Sequence, residues 1–234
     1  MALLKEIRLL ETIQLQKINK TLLKNNQKIT LLPECSLSVK QGEMLAITGQ
    51  SGIGKSTLLN IIGCLDEASV GKYHLDGHDI TQLPARQKAS LRNEQFGFIF
   101  QQYLLIRHLS VLENVALTLQ YRNRSYQKSL EEAENTLSEL GLGDHLQHLP
   151  GELSGGQQQR TSLARAIVTN PKILLADEPT GALDDENSHR MMSTLVKINR
   201  ERNTTIIMVT HDQSMAQYCH RITPIDTLFH HQAA

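Results

Sequence analysis

Gly49-Gln50-Ser51-Gly52-Ile53-Gly54-Lys55-Ser56-Thr57 sets three glycines, a lysine and hydroxyls at the spacing G-x-x-x-x-G-K-S. Glycines at these positions let the backbone turn back so that consecutive N–H groups point inward around an anion. The apolar residues that follow (Leu58, Leu59, Ile61, Ile62) have helical spacing, and the positive end of such a helix adds ~0.3–1 kcal/mol to anion binding when exposed and ~2 kcal/mol when partly buried. Lys55 is placed to reach the β- and γ-phosphates of a nucleoside triphosphate, and the Ser56 hydroxyl to ligate Mg²⁺. A chance glycine-rich turn before a helix would use the same letters.

Two further groups have the composition of a hydrolytic site. Lys172-Ile-Leu-Leu-Ala-Asp177-Glu178 ends an apolar run with adjacent carboxylates. Asp177 suits Mg²⁺ held through a water, and Glu178 suits a general base or water-positioning group on the γ-phosphate side. Read as structure alone, Asp-Glu-Pro is a polar strand exit stopped by Pro179. Leu153-Ser154-Gly155-Gly156-Gln157-Gln158-Gln159-Arg160 opens a helical run through Leu163, Ala164, Ala166 and Ile167, with Ser154 and Gln157 at capping-box spacing. That also describes an ordinary well-capped helix. Two glycines in the first turn, however, cost roughly 1 kcal/mol each against alanine, which indicates that something approaches the backbone closely. A helix N-terminus with free N–H groups and a serine hydroxyl suits a phosphate.

These groups need a rigid frame. Met44–Thr48, Lys172–Ala176 and Thr204–Thr210 are nearly continuous apolar or β-branched runs, as in parallel strands covered on both faces, and helical patterns separate them. Phe96, Phe98 and Phe100 alternate with Gly97 and Ile99 in a fourth strand ending at Gln101. Beyond it, Ser110 and Glu113 cap a helix to about Leu119, and a second helix runs from about Gln127 to Leu140 with Gly141 as its stop. Asp76-Gly77 signals a hairpin in a small antiparallel region. The expected class is α/β: a parallel-sheet core from residues 1–90 and 160–234, with an inserted helical subdomain at 91–159. Leu3, Leu4, Ile7 and Leu10 have helical spacing in an N-terminal extension, and Pro224 argues for a shortened final strand.

Across 234 residues, Lys plus Arg total 24 and Asp plus Glu total 24. A net charge of zero disfavours non-specific nucleic-acid binding. No apolar run approaches the ~18 residues of a membrane span, and Lys5 and Glu6 interrupt the candidate signal-peptide core. Three scattered cysteines, Cys35, Cys64 and Cys219, match neither a disulfide framework nor a metal pair. His145 and His148 lack a further ligand and read as a solvated helix end. The chain reads as soluble and cytoplasmic.

Taken together, the motifs resemble those of the ATP-binding cassette (ABC) ATPases over nearly the whole length. In that family's order stand the P-loop from Gly49, a Q-loop glutamine at Gln101, LSGGQ from Leu153, Asp177-Glu178, a D-loop Ala182-Leu183-Asp184 and a switch histidine at His211. The resemblance implies an ABC ATPase fold on a RecA-like P-loop NTPase core, with ATP and Mg²⁺ as ligands. It implies two copies packed head to tail, each ATP lying between one copy's P-loop and the other's Ser154–Gly156 segment. Gln101 would sense Mg²⁺ and the attacking water, His211 would bond the γ-phosphate, and Asp184 would link the two sites. Singly, Gln101, His211 and Asp184 are unremarkable; their joint order is what carries weight.

Phe100-Gln-Gln-Tyr-Leu-Leu105, Val111-Leu-Glu-Asn-Val115 and Asp177–Asp184 look like one bacterial branch, the lipoprotein-release and macrolide-export (LolD/MacB-like) ATPases. By similarity, separate transmembrane permease subunits would dock at Tyr103–Leu109, placing the chain peripherally at the cytoplasmic face of the cell membrane and driving export or extraction of a lipoprotein, peptide or drug. A cell-division type of cassette, signalling to a membrane complex without moving a substrate, carries similar motifs. Two departures from the family pattern are Leu22, where an adenine-stacking aromatic is usual, and Ile53, at a position often small.

Overall fold

The computed structural model describes residues 11–24, 27–122 and 124–230; the expected helix over Leu3–Leu10 lies outside them. In chain order the elements are β1 (Glu11–Lys24), β2 (Gln27–Lys40), β3 (Met44–Thr48), α1 (Lys55–Ile62), β4 (Val70–Leu75), β5 (His78–Asp79), α2 (Ala85–Gln95) and β6 (Phe96–Ile99). Then follow α3 (Val111–Gln120), α4 (Tyr126–Glu139), α5 (Gly155–Ile167), β7 (Ile173–Asp177), α6 (Asp185–Arg202), β8 (Thr205–Thr210), α7 (Gln213–Ala216) and β9 (Arg221–Pro224).

β6, β7, β8, β3 and β9 form one parallel sheet in that spatial order. The unbroken apolar runs follow from burial on both faces. Leu45, Ile47, Ile173, Leu175, Ile207 and Val209 face α1 and the second sheet. Their neighbours Met44, Ala46, Leu174, Ala176, Ile206 and Met208 face the opposite way, onto buried residues of α5, α6 and α7. The second sheet is antiparallel, ordered β2-β1-β4-β5. Asp76 and Gly77, with φ of 47° and 78°, make the turn between β4 and β5 in the left-handed region that a tight hairpin requires.

Val111, Leu112, Val115, Ala133, Leu137, Leu153 and Ala164 join α3, α4 and α5 in a third cluster. A division of the chain at 91 and 159 does not follow these contacts. β6 is an edge strand of the core sheet, paired with β7, and α5 runs unbroken across residue 159. β9 is a four-residue edge strand that stops at Pro224, as its missing N–H dictates.

Candidate functional site

Sheet register alone gathers most of the candidate residues. Thr48 pairs with Thr210, Asp177 with Val209, and Ile99 with Ala176. The glycine loop after β3, Gln101 after β6, Asp177-Glu178 at the end of β7 and His211 after β8 therefore leave one carboxyl-terminal edge of the sheet. In open α/β sheets that edge is where ligands bind.

Gly52 and Gly54 take φ of 79° and 108°, and a Cβ at Gly54 would sit 2.7 Å from the Leu31 carbonyl oxygen. Only glycine fits there without moving the backbone. Gly54 caps α1 with no side-chain hydrogen bond, and the first turn holds no acid, so the helix itself places no counter-charge at its positive end. Lys55 is buried and donates from Nζ to the carbonyl oxygens of Gly49 (2.7 Å) and Gln50 (3.0 Å). Gln50, Ser51, Ile53 and Thr57 complete the loop and the start of α1 around it.

Ser56 Oγ donates to Asp177 Oδ1 at 3.1 Å. Burial raises the Asp177 pKa above the usual carboxylate range and the neighbouring Glu178 charge adds to this, while the Ser56 bond and Lys55 oppose it. Two hard oxygen donors side by side fit Mg²⁺, which prefers carboxylate and hydroxyl oxygens to nitrogen or sulfur. Glu178 adopts φ of 45°, a left-handed conformation that costs a non-glycine residue on the order of 1 kcal/mol. Its backbone N–H continues the ladder to the Val209 carbonyl at 3.0 Å. Its carboxylate accepts from His211 Nδ1 (2.9 Å), Thr210 Oγ1 (3.1 Å) and the His211 N–H (3.4 Å). A carboxylate can only accept, so the proton lies on His211 Nδ1 and Nε2 stays free on a largely exposed ring. Gln101 reaches the same turn from β6: a Cβ at Gly181 would lie 3.6 Å from its Nε2.

Ser154, Gly155, Gly156 and Gln157 stand apart from this group. Ser154 caps α5, with Gln157 N–H donating to Ser154 Oγ at 3.3 Å and Ser154 N–H donating to Gln157 Oε1 at 2.8 Å. No hydrogen bond among the described residues joins this segment to the glycine loop. What crowds its glycines belongs to this chain: a Cβ at Gly156 would lie 3.1 Å from Asn187 Oδ1, and one at Gly155 would lie 3.3 Å from Tyr103 Oη. Asp184 caps α6 by accepting from Asn187 N–H (2.8 Å) and Nδ2 (2.7 Å), bonds that lower its pKa. Asn187 thereby links Asp184 to the Ser154 segment rather than to the glycine loop. Leu22 is half exposed on β1, paired with Ile29.

Sequence reasoning missed four contributors. Thr210 grips Glu178; its only signal was a hydroxyl before His211. Asn187 came without a motif. Gln159, buried on α5, donates from Nε2 to the Pro179 carbonyl at 2.5 Å, beside Glu178. Arg165, also on α5, donates to the carbonyls of Leu104 (2.6 Å) and Tyr103 (2.7 Å), and so holds two successive left-handed residues, with φ of 49° and 40°, just past Gln101.

A glycine loop between a buried parallel strand and a helix, with acids on the next strand but one, defines a P-loop nucleoside triphosphatase. Comparison with known proteins narrows this. Residues 32–181 match the ABC transporter family, and the chain belongs to it, as an ATP-hydrolysing cassette. The macrolide export ATP-binding/permease protein MacB of Shewanella sp. (strain ANA-3) is 49% identical over 199 residues, 85% of this chain but 30% of MacB. The chain thus spans about 30% of the length of the MacB relatives it matches first. The ABC transporter ATP-binding protein YknY of Bacillus subtilis (strain 168) is 43% identical over 213 residues, covering 91% of this chain and 92% of YknY. A dimeric structure of MJ0796, a bacterial ABC transporter cassette, superposes with a TM-score of 0.85 at 41% identity, covering 90% of this chain and 92% of that one. A dimeric post-hydrolysis state of MJ0796 bound to ADP and Pi matches with TM-score 0.85 at 40% identity.

Proposed function

We propose that two copies of this chain pack head to tail and hydrolyse ATP at two shared sites, driving separate membrane permease subunits that export or extract a lipoprotein, peptide or drug. The observation that carries this reading is the split of the candidate site. The glycine loop, Asp177, Glu178, Gln101 and His211 share one sheet edge, whereas among the described residues the Ser154–Gln157 helix start makes no hydrogen bond to them. A second copy supplies the missing half, and MJ0796, similar over nine-tenths of this chain, forms a dimer.

Within each site the loop N–H groups from Gly49 to Thr57 and the start of α1 surround the β- and γ-phosphates. Lys55 exchanges its two carbonyl partners for phosphate oxygens, a stronger charge-assisted pairing. Ser56 and Gln101 would ligate Mg²⁺, with Asp177 holding it through water, and the ion would supply positive charge against the triphosphate. Glu178 takes the proton of, or orients, the attacking water. His211 bonds the γ-phosphate by donating a ring N–H; the neutral ring has only the one now held by Glu178, so nucleotide binding exchanges that bond for one to phosphate. Ser154 Oγ and the N–H groups of Gly155 and Gly156 face the same phosphate from the partner copy, joined by the Gln157 N–H once it leaves Ser154 Oγ. Asp184, bonded to Asn187, would link the two sites across the dimer. Leu22 offers adenine an aliphatic contact.

The permease would dock on Tyr103–Leu109. Asn114, buried on α3, fixes this loop by bonding Ile106 N–H (2.7 Å) and the carbonyls of Ile106, Leu109 and Ser110, while leaving Leu104 about half exposed (54%). No helix among the described residues is long and apolar enough to cross a membrane; in this reading the cassette sits at the cytoplasmic face against that partner. Purification from the native membrane in detergent tests this: a multi-span protein should accompany the chain, and recovery without one would overturn the permease reading. Binding of nucleic acid at physiological salt would contradict it as well.

A further inference from the structure

Among the described residues no cluster of three metal-ligating side chains is found, and the structure gives His145 a different partner. The turn Gly143–His145 lies between α4 and α5, pinned to α3 by bonds from Val111 N–H to the His148 carbonyl and from Leu112 N–H to the Leu146 carbonyl. There His145 Nε2 lies 3.0 Å from Gln157 Nε2. The proton positions follow from a donor that cannot change. The Ser154 backbone N–H lies 2.8 Å from Gln157 Oε1; the flipped amide would set NH₂ against N–H. Gln157 Oε1 therefore faces Ser154, and its NH₂ faces the imidazole. An NH₂ group only donates, so His145 Nε2 accepts and the ring proton sits on Nδ1. Nδ1 is buried and has no partner among the described residues, so Gln157 alone selects this tautomer. The His148 ring packs edge-on at a centroid distance of 5.0 Å and restrains the plane of the imidazole.

Building on the reading that Ser154 faces the partner copy's ATP, we infer that His145 is a positioning residue for the Ser154–Gln157 segment. By accepting from Gln157 Nε2 it holds Gln157 Oε1 on the Ser154 N–H. Of the two capping bonds this is the short one. The other, at 3.3 Å from Gln157 N–H to Ser154 Oγ, is long enough to be exchanged for a phosphate oxygen without collapsing the cap. The helix start thus stays ordered while its hydroxyl and N–H groups turn to the nucleotide.

The direct test is nuclear magnetic resonance of the full chain with isotope-labelled histidine, the His145 signals being identified by their loss in His145→Gln. The expected signature is a protonated Nδ1 and an unprotonated Nε2, a preference lost in Gln157→Ala. A wild-type Nε2–H, or a tautomer indifferent to Gln157, overturns the inference. In the functional arm, His145→Gln supplies an amide oxygen at the same reach and keeps ATP-dependent dimerisation within about two-fold of wild type, whereas His145→Leu, without an acceptor, weakens it about three- to ten-fold. Equal behaviour of the two variants overturns the role. Ser154→Ala separates the layers. If it weakens the dimer while His145→Leu does not, only the role of His145 falls; if it leaves the dimer intact, the nucleotide-facing reading of the segment falls, and this inference with it.

Discussion

Gln159→Leu should separate catalysis from folding. The side chain is 2% exposed, donates to the Pro179 carbonyl at 2.5 Å, and leaves its own Oε1 buried without a partner among the described residues. Leucine removes the donor and strands the Pro179 carbonyl, at a cost of about 1–3 kcal/mol, but it also removes the unpartnered Oε1, whose burial costs about the same. The two contributions oppose each other, so stability should change by less than about 1 kcal/mol, or about 2–4 °C in Tm for a chain of this size. Catalysis has no such offset. Pro179 directly follows Glu178, which is held in a left-handed conformation, and releasing Pro179 lets the carboxylate drift from the attacking water. We expect kcat to fall about 10- to 100-fold with nucleotide affinity of the isolated chain unchanged. Thermal unfolding, calorimetric ATP binding and steady-state phosphate release measure the three quantities. A Tm drop beyond about 8 °C with kcat unchanged would show that Gln159 only packs.

Lys55→Ala should abolish measurable ATP binding, because the buried ammonium is the cation nearest the loop; normal binding by calorimetry would remove the phosphate-cradle assignment. Burial raises the Asp177 pKa, so its neutral form appears at higher pH than for a free aspartate. Protons and Mg²⁺ compete for this carboxylate, so the Mg²⁺ concentration needed for half-maximal turnover should rise on acidification, and a half-saturation that does not change with pH would contradict the assignment. Leu22→Tyr should tighten ATP binding about two- to ten-fold, the value of an added ring contact; no change would show that Leu22 does not meet the base.

Local chemistry made the glycine loop, both capping boxes and the Asp76-Gly77 turn readable, since each is fixed by residues within a few positions of one another. β3, β7 and β8 were equally legible because burial on both faces leaves an unbroken apolar run. The bare strand-helix alternation does not reveal strand order, and it is the order that pairs Thr48 with Thr210 and Asp177 with Val209 and so brings Glu178 to His211. α2 has no buried residue, so no apolar stripe announces it. The outer half of the β1–β2 hairpin is exposed and lacks alternation. Gln159, Arg165 and Asn187 act through backbone carbonyls and a glycine far away in sequence, contacts that leave no spacing to read.

The most direct measurement is a crystal structure of Glu178→Gln grown with ATP and Mg²⁺. It should show each triphosphate wrapped by Gly49–Thr57 of one copy and capped by Ser154–Gly156 of the other, with Lys55 turned from its loop carbonyls onto phosphate. Nucleotide bound with the Ser154 segment facing solvent in every copy would contradict the shared site on which the proposed function rests.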